Sequence, residues 1–351
     1  MQNANSRSFF RLGMVSMAVL LTISLAMTGV AEAAKGGNGG GGGKGGDGGG
    51  GGGGGKGGKN KTPSVRVEGG KGKNKTPTVR VEGAGDSIMR GYNATCTGNT
   101  GILDLFCYSG GDQDENSFLD GSSGSVTSIV DRYVAIDSNA TGGKSASESG
   151  SEMTDPAKNN FATQADSIVA NASQPVRVVV ELGGNDLCNR GAASDLYTDT
   201  EWQDAVDAGL QTLVDGLPDG STVLLSSVPR VHDLRAAGIE KQNSESGVDC
   251  EAFWNTYDVC RIATADDQNF DALAERQQSY NEILASRAQY FNDQAATTGV
   301  EVVAEYQGES LESVGTYAFS ATDINGGDCF HPSISGQNKL SEIIWNNNPY
   351  Q

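Results

Sequence analysis

Three short apolar runs limit what this chain can fold into. Val176-Arg177-Val178-Val179-Val180-Glu181-Leu182, Ser221-Thr222-Val223-Leu224-Leu225-Ser226-Ser227-Val228 and Val300-Glu301-Val302-Val303 are rich in β-branched residues and lack strict polar alternation, the pattern of strands covered on both faces. Between and after them the apolar residues recur at helical spacing. Helices are predicted over about 161–170, 202–213, 270–294 (with Leu273, Tyr280, Leu284 and Phe291 on one side) and 335–345. Strand and helix in alternation imply βαβ units and a parallel sheet with helices on both faces. Residues 79–351 suit one such domain, with long loops expected at about 95–128 and 231–267.

The preceding segment reads differently. In residues 1–33, Arg7 and Arg11 come before an apolar run from Leu12 to Met27, and Ala31-Glu32-Ala33 is a small-x-small cleavage pattern, so a secretory signal peptide and an exported protein are expected. From Lys35 to about Gly58 the chain is nearly all glycine with scattered lysine, which cannot bury enough apolar surface to offset its ordering entropy. Residues 34–78 are therefore expected to form a flexible tether. An eleven-residue segment beginning at Lys59 recurs from Lys73, ending as Val79-Arg80-Val81-Glu82-Gly83; two copies are too few for a solenoid, and the second serves as the first strand.

Charge changes sign near the same boundary. Residues 34–84 carry ten Lys or Arg against three Asp or Glu, a net of +7, and residues 85–351 carry 13 against 40, a net of −27. The acidic domain argues against a nucleic-acid partner, which it would repel. The basic tether leaves room for weak contact with anionic cell-surface polymers.

Val79 to Ile88 reads as a strand running into Gly83-Ala84-Gly85-Asp86-Ser87, with the glycines expected to make a sharp turn. Ser87 then stands just past a strand's carboxyl end, where open α/β sheets bind ligands. There are two histidines, His232 and His331. Asp328 precedes His331 by three residues, so one tight turn can bring its carboxylate to Nδ1 and leave Nε2 to take a proton from a serine. Pro332 and Ser333 suit a helix entry that would hold the pair. His232 follows another strand, but the adjacent Asp233 is poorly placed to orient its ring, which makes it the weaker candidate base.

Gly183-Gly184-Asn185-Asp186 ends a buried strand with two glycines and an amide. A serine acyl-transfer reaction develops an oxyanion, for which the Asn185 side-chain NH2 and the Ser87 backbone N–H are candidate donors. Asp86 is expected to pin the nucleophile loop, and Asp186 its own turn. Two weaker motifs carry less. Gly142-Gly143-Lys144-Ser145 lacks the earlier glycine of a phosphate loop, having Ser138 there. Asp112, Asp114 and Asn116 have calcium-loop spacing, but Ser117 and Ser123 stand where a glycine and a glutamate are needed. No metal or cofactor is expected. Of the six cysteines, only Cys96 and Cys107 stand out as a local disulfide, across a short loop.

Taken together, Gly85-Asp86-Ser87-Ile88, Gly183-Gly184-Asn185-Asp186 and Asp328-Cys329-Phe330-His331 resemble, in order, three sequence blocks of the SGNH hydrolases, also called GDSL esterases or lipases. The resemblance spans nearly all of residues 79–346. It implies a flavodoxin-like three-layer α/β/α sandwich with the nucleophile in the first loop; no GxSxG occurs. It also implies an oxyanion-hole glycine in the stretch Ser145 to Met153, namely Gly150, with Gly142 or Gly143 as alternatives, although the usual asparagine and aliphatic run before that glycine is absent. Gly183 to Cys188, Tyr280-Asn281 and Phe330 to Leu340 look like secreted, disulfide-containing members of bacterial type, which implies that Cys188 joins Cys260 or Cys250. The expected function is a secreted, single-chain serine esterase using Ser87, His331 and Asp328, with Ser87, Gly150 and Asn185 around the oxyanion. Its substrates would be small-molecule, lipid or acylated-carbohydrate esters. The alternatives are a carbohydrate O-deacetylase or phospholipid acylhydrolase on the same residues, or a surface-displayed binding domain without catalysis.

Overall fold

A computed structural model describes residues 79–98, 111–143, 145–306 and 318–351. The leader, the tether, the first copy of the repeat and Cys107 lie outside them. Five strands form one sheet: β1 (Arg80–Gly85), β2 (Thr141–Gly142), β3 (Val176–Glu181), β4 (Thr222–Leu225) and β5 (Glu301–Ala304). Their spatial order is β2-β1-β3-β4-β5, and every adjacent pair is parallel. In this order the chain reverses direction across the sheet between β1 and β3, and a crevice opens at their carboxyl ends.

The helices are α1 (Ile129–Ile136), α2 (Phe161–Asn171), α3 (Gly184–Cys188), α4 (Asp199–Gly216), α5 (Leu234–Ser244), α6 (Cys250–Tyr257), α7 (Arg261–Thr264), α8 (Phe270–Asn292), α9 (Ala295–Thr298) and α10 (Ile334–Asn346). Side chains alternate across the sheet and divide the core into two layers. Val178, Val180, Val223 and Leu225 pack with Phe161 and Ile168 of α2, Trp202 and Leu210 of α4, and Tyr280 and Leu284 of α8. Val81, Val179 and Leu224 point the other way, onto Ile129 and Tyr133 of α1 and Leu340 and Ile344 of α10. The result is the three-layer α/β/α sandwich expected. Several helix starts are fixed by side-chain caps: Thr198 and Glu201 form a reciprocal capping box on α4, Ser128 and Asp131 do the same on α1, and Ser333 caps α10 through the Gly336 N–H.

Two sequence expectations need correction. The stretch 231–267 is not a loop but carries α5, α6 and α7. These helices are short, and their faces are set by packing: a Cβ at Gly238 in α5 would come within 2.2 Å of the Trp254 ring in α6. Helix α1 and β2 were not anticipated either, because α1 makes barely two turns and β2 is only two residues long. Finally, Gly83 and Gly85 are not turn glycines. Both lie inside β1 and are needed for room, since a Cβ at either would come within 3 Å of the Met89 side chain as the chain folds back over the strand.

Candidate active site

The site is assembled at the carboxyl ends of β1 and β3. Gln164 of α2 clamps the last residue of β1, accepting from the Gly85 N–H at 2.7 Å and donating to the Gly85 carbonyl at 3.0 Å. The chain then turns at Asp86, whose Oδ1 accepts from the Ile88 N–H at 2.8 Å, a local carboxylate turn that presents Ser87 to the crevice. Gln337 of α10 secures the turn from the opposite layer by donating to the Ile88 carbonyl at 2.8 Å. The Ser87 backbone carbonyl in turn accepts from the Tyr92 N–H at 3.0 Å.

Asp328 and His331 reach the same place on the loop before α10. Ser87 Oγ and His331 Nε2 are 2.8 Å apart, and His331 Nδ1 and Asp328 Oδ2 are 2.9 Å apart. The other carboxylate oxygen, Oδ1, accepts from the backbone N–H groups of Phe330 and His331, both at 2.9 Å, and from Asn325 Nδ2 at 2.8 Å. Burial alone would raise the Asp328 pKa, but the His331 charge and these hydrogen bonds outweigh it and hold the carboxyl below its usual range. The Tyr92 ring lies against the imidazole with centroids 4.6 Å apart.

Cys329, between Asp328 and His331, adopts a left-handed backbone conformation with φ +53°. That conformation is unfavourable for a residue with a Cβ. Two ties hold it: a disulfide to Cys250 at the start of α6, and a hydrogen bond from the Trp254 indole to the Cys329 carbonyl at 3.3 Å. A second disulfide joins Cys188, at the end of α3, to Cys260. Of the two partners that the resemblance implied for Cys188, the bond therefore selects Cys260 and leaves Cys250 for Cys329. The expected Cys96–Cys107 bond falls outside the described residues because Cys107 does.

Beyond β2, residues 143 and 145–148 run alongside β1: the N–H groups of Gly143, Ala146 and Glu148 donate to the carbonyls of Val81, Gly83 and Gly85. Gly142 and Gly143 therefore stand at the entry end of β1, remote from Ser87, whereas Gly150 is delivered to its exit. Gly150 has φ +88° and lines the same cleft as Ser87 and His331. Buried Asp186 of α3 anchors the segment just beyond it, accepting from Met153 N–H at 2.7 Å and from the Thr154 hydroxyl at 2.7 Å. Its role extends past its own turn, since it joins the Gly150 segment to the end of β3. Burial pushes its pKa up to about 7.

Asn185 faces the cleft, but its NH2 group is already engaged. Nδ2 donates to Asp86 Oδ2 at 3.1 Å and to the Ser151 carbonyl at 2.9 Å, which uses both of its protons. Asp86 is almost fully buried, and burial, opposed by the Ile88 N–H and the His331 charge, raises its pKa to about 6.

The cleft has a volume of about 460 Å³. Phe253, Tyr257, Val259 and Phe330 form an apolar wall, and the Phe253 and Tyr257 rings lie 4.6 Å apart. Among the described residues, no lysine or arginine lines it. His232 is elsewhere: it is buried beneath Phe270, edge to face at 5.0 Å, and does not line the cleft. Asp112 and Asp114 face Arg90, at 2.6 and 3.2 Å, rather than one another's oxygens around a common centre. Among the described residues no group of three or more His, Cys, Asp or Glu could hold a metal.

Sequence reading missed Gln164, Gln337, Asn325 and Asn93. The last donates from Nδ2 to Asp328 Oδ2 at 2.8 Å. Their partners are mostly remote in the chain, so no local motif announced them.

The chain belongs to the GDSL-like lipase/acylhydrolase family, whose model matches residues 81–344. It is thus a hydrolase of the class that fold and sequence blocks together define. No curated protein sequence matches it. Three solved structures each align over 76% of this chain. One is 11% identical, with 95% of its own chain covered and a TM-score of 0.40. Another, an active-site mutant of a family two carbohydrate esterase from Clostridium thermocellum, is 14% identical, with 61% covered and a TM-score of 0.36. The third, a candidate arylesterase from Agrobacterium tumefaciens str. C58, is 14% identical, with 95% covered and a TM-score of 0.35.

Proposed function

We propose that this hydrolase is an exported serine esterase that cleaves neutral carboxylic esters through an acyl-enzyme. The observation that carries this function is the continuous line of contacts from Ser87 Oγ through the His331 ring to Asp328 Oδ2, at 2.8 and 2.9 Å, opening into the cleft. His331 Nε2 takes the Ser87 proton as Oγ attacks the carbonyl carbon, and Asp328 stabilises the imidazolium. The proton then passes to the departing alcohol, and a water molecule repeats the sequence on the acyl-enzyme.

The backbone N–H groups of Ser87 and Gly150 are the donors for the oxyanion. Asn185 becomes a third donor by exchanging one of its two bonds. The bond to the neutral Ser151 carbonyl is the one given up, because the bond to the Asp86 carboxylate is charge-assisted. The aromatic wall, with no lysine or arginine among the described lining residues, favours neutral substrates over phospholipid head groups.

Export is supported by the leader pattern and by the two disulfides, since such bonds persist in oxidising compartments. Among the described residues no helix is long and apolar enough to cross a membrane. In this proposal residues 1–33 are removed, 34–78 form the tether and 79–351 act as a single-chain domain.

The test is a fluorophosphonate probe and a series of aryl esters of increasing chain length, applied to the mature protein. The wild-type chain is expected to be labelled and active, and Ser87→Ala to lose both properties. A Ser87→Ala protein that kept most of its activity would exclude this nucleophile. A second reading, sugar O-deacetylation, is favoured by the half-exposed Tyr257 ring beside Asp258 and Asn189, a surface on which a sugar could stack. Comparing rates on acetylated xylan and on aryl acetate separates the two.

A further inference from the structure

We infer that Asn93 is a positioning residue that sets the alignment of Asp328, and through it of His331, relative to Ser87. The role rests on the nucleophile and base proposed above. Asn93 lies six residues after Ser87 on the same turn segment, is buried, and donates from Nδ2 to Asp328 Oδ2 at 2.8 Å. This oxygen is the one that faces His331 Nδ1 at 2.9 Å. One side chain of the nucleophile segment therefore grips the acid across 235 positions of sequence, at the oxygen that orients the base.

The grip is built rather than incidental. Asn93 has φ +55°, a conformation that asparagine tolerates better than most residues with a side chain. Its backbone N–H donates to the Gly111 carbonyl at 3.0 Å, and its Oδ1 accepts from the Gly111 N–H at 3.1 Å. The amide is thereby fixed with its NH2 toward Asp328. Asn325 holds the other carboxylate oxygen, Oδ1, but sits on the same loop as the acid and moves with it. Asn93 reaches the acid from the nucleophile's side of the site.

The second consequence is electrostatic. A donor on Oδ2 shares the carboxylate charge that would otherwise act on the imidazole alone, so its removal should stabilise the imidazolium. The titratable groups facing the pair are Tyr92, from the nucleophile segment, and Asp86, beneath Ser87.

Two variants separate the donor from the backbone. Asn93→Asp keeps the shape and the acceptor for Gly111 but, when ionised, cannot donate. Asn93→Gly removes the side chain and accepts the positive φ without strain. Each is assayed for kcat, KM and the pH profile of kcat/KM beside wild type and Ser87→Ala, with folding checked by thermal melting. In Asn93→Gly, kcat should fall about ten- to hundredfold, the range for a hydrogen bond to a charged group, with KM within about threefold. Its acid limb should move up by about 0.5 to 1 pH unit. Asn93→Asp should lose at least as much kcat. Folded variants with wild-type kcat and an unmoved acid limb would overturn the role, as would a loss of activity that only follows a loss of folded protein. Residual activity in Ser87→Ala would overturn the nucleophile assignment instead, so the two failures are distinguishable.

Discussion

Ser87 and His331 are 244 positions apart in the chain, yet Oγ and Nε2 approach to 2.8 Å. The approach is enforced from both sides of the sheet: Gln164 fixes the end of β1 from one helical layer, and Gln337 fixes the turn from the other.

Asn185→Ala is expected to cost stability as well as rate. The amide satisfies the buried Asp86 carboxylate and the Ser151 carbonyl, and leaving such groups unpaired costs about 1 to 3 kcal/mol. Loss of the oxyanion donor proposed for Asn185 should add a fall in kcat of about two orders of magnitude. Melting temperature and kcat measured on the same preparation check both, and an unchanged melting temperature would show that the Asp86 contact contributes nothing.

Gly150→Ala isolates backbone conformation from crowding. No atom lies within 4 Å of the Cβ it would introduce, but φ is +88°, so the residue is strained by about 1 to 3 kcal/mol. The expected outcome is a lower melting temperature and a reduced kcat, as the Gly150 N–H shifts away from the place proposed for the oxyanion, with little change in KM. Steady-state kinetics would reveal the opposite pattern, a raised KM alone, if the glycine serves only to admit substrate.

Stability should fall as pH rises from about 4 to about 7. Burial raises the pKa of Asp86 to about 6, and to about 7 those of Asp186 and of Glu305, which is buried just past β5 and accepts from the Ser227 N–H. In that interval the folded chain holds protons that the unfolded chain has released, so this contribution is complete below the usual carboxyl values and disappears through the raised ones. Asp328 has the opposite sign: its lowered value adds stability above the usual range and is lost only at more acidic pH. Thermal melts should therefore give a higher midpoint near pH 5 than near pH 8. A midpoint that rises across that interval would contradict the raised values.

Breaking the two disulfides should produce different kinetic defects. The Cys250–Cys329 bond spans 79 residues, and a loop of that size corresponds to about 4.5 kcal/mol in the chain-entropy model. Because Cys329 separates Asp328 from His331, the paired serine variant should lose mainly kcat. Removing Cys188–Cys260 releases the segment beside Val259 and should raise KM more than it lowers kcat. Equal effects on both constants from both variants would argue against this division.

What was legible in the sequence is what is local. Asp328 and His331 lie within one turn of each other, and the glycines before Asn185 follow an obvious buried strand. The strand–helix alternation likewise made the sandwich readable. Asn93 and Gln337 carried no such signal, because each acts on a partner more than 200 positions away. The direction of the Asn185 amide was hidden for a related reason: Asp86 and Ser151, from two other segments, determine it. Helices α5 to α7 escaped because their spacing reflects Trp254 and two cysteines rather than a broad apolar stripe.

Helix α6 is fastened near both ends, by Cys250 at its start and by Cys260 just past its finish. The backbone that carries Phe253 and Tyr257 is therefore pinned at both ends, which disfavours a swing of the whole helix as a lid. Selectivity at that wall is a matter of rigid outline, and the rate on a soluble ester should pass smoothly through the concentration at which the ester begins to form droplets.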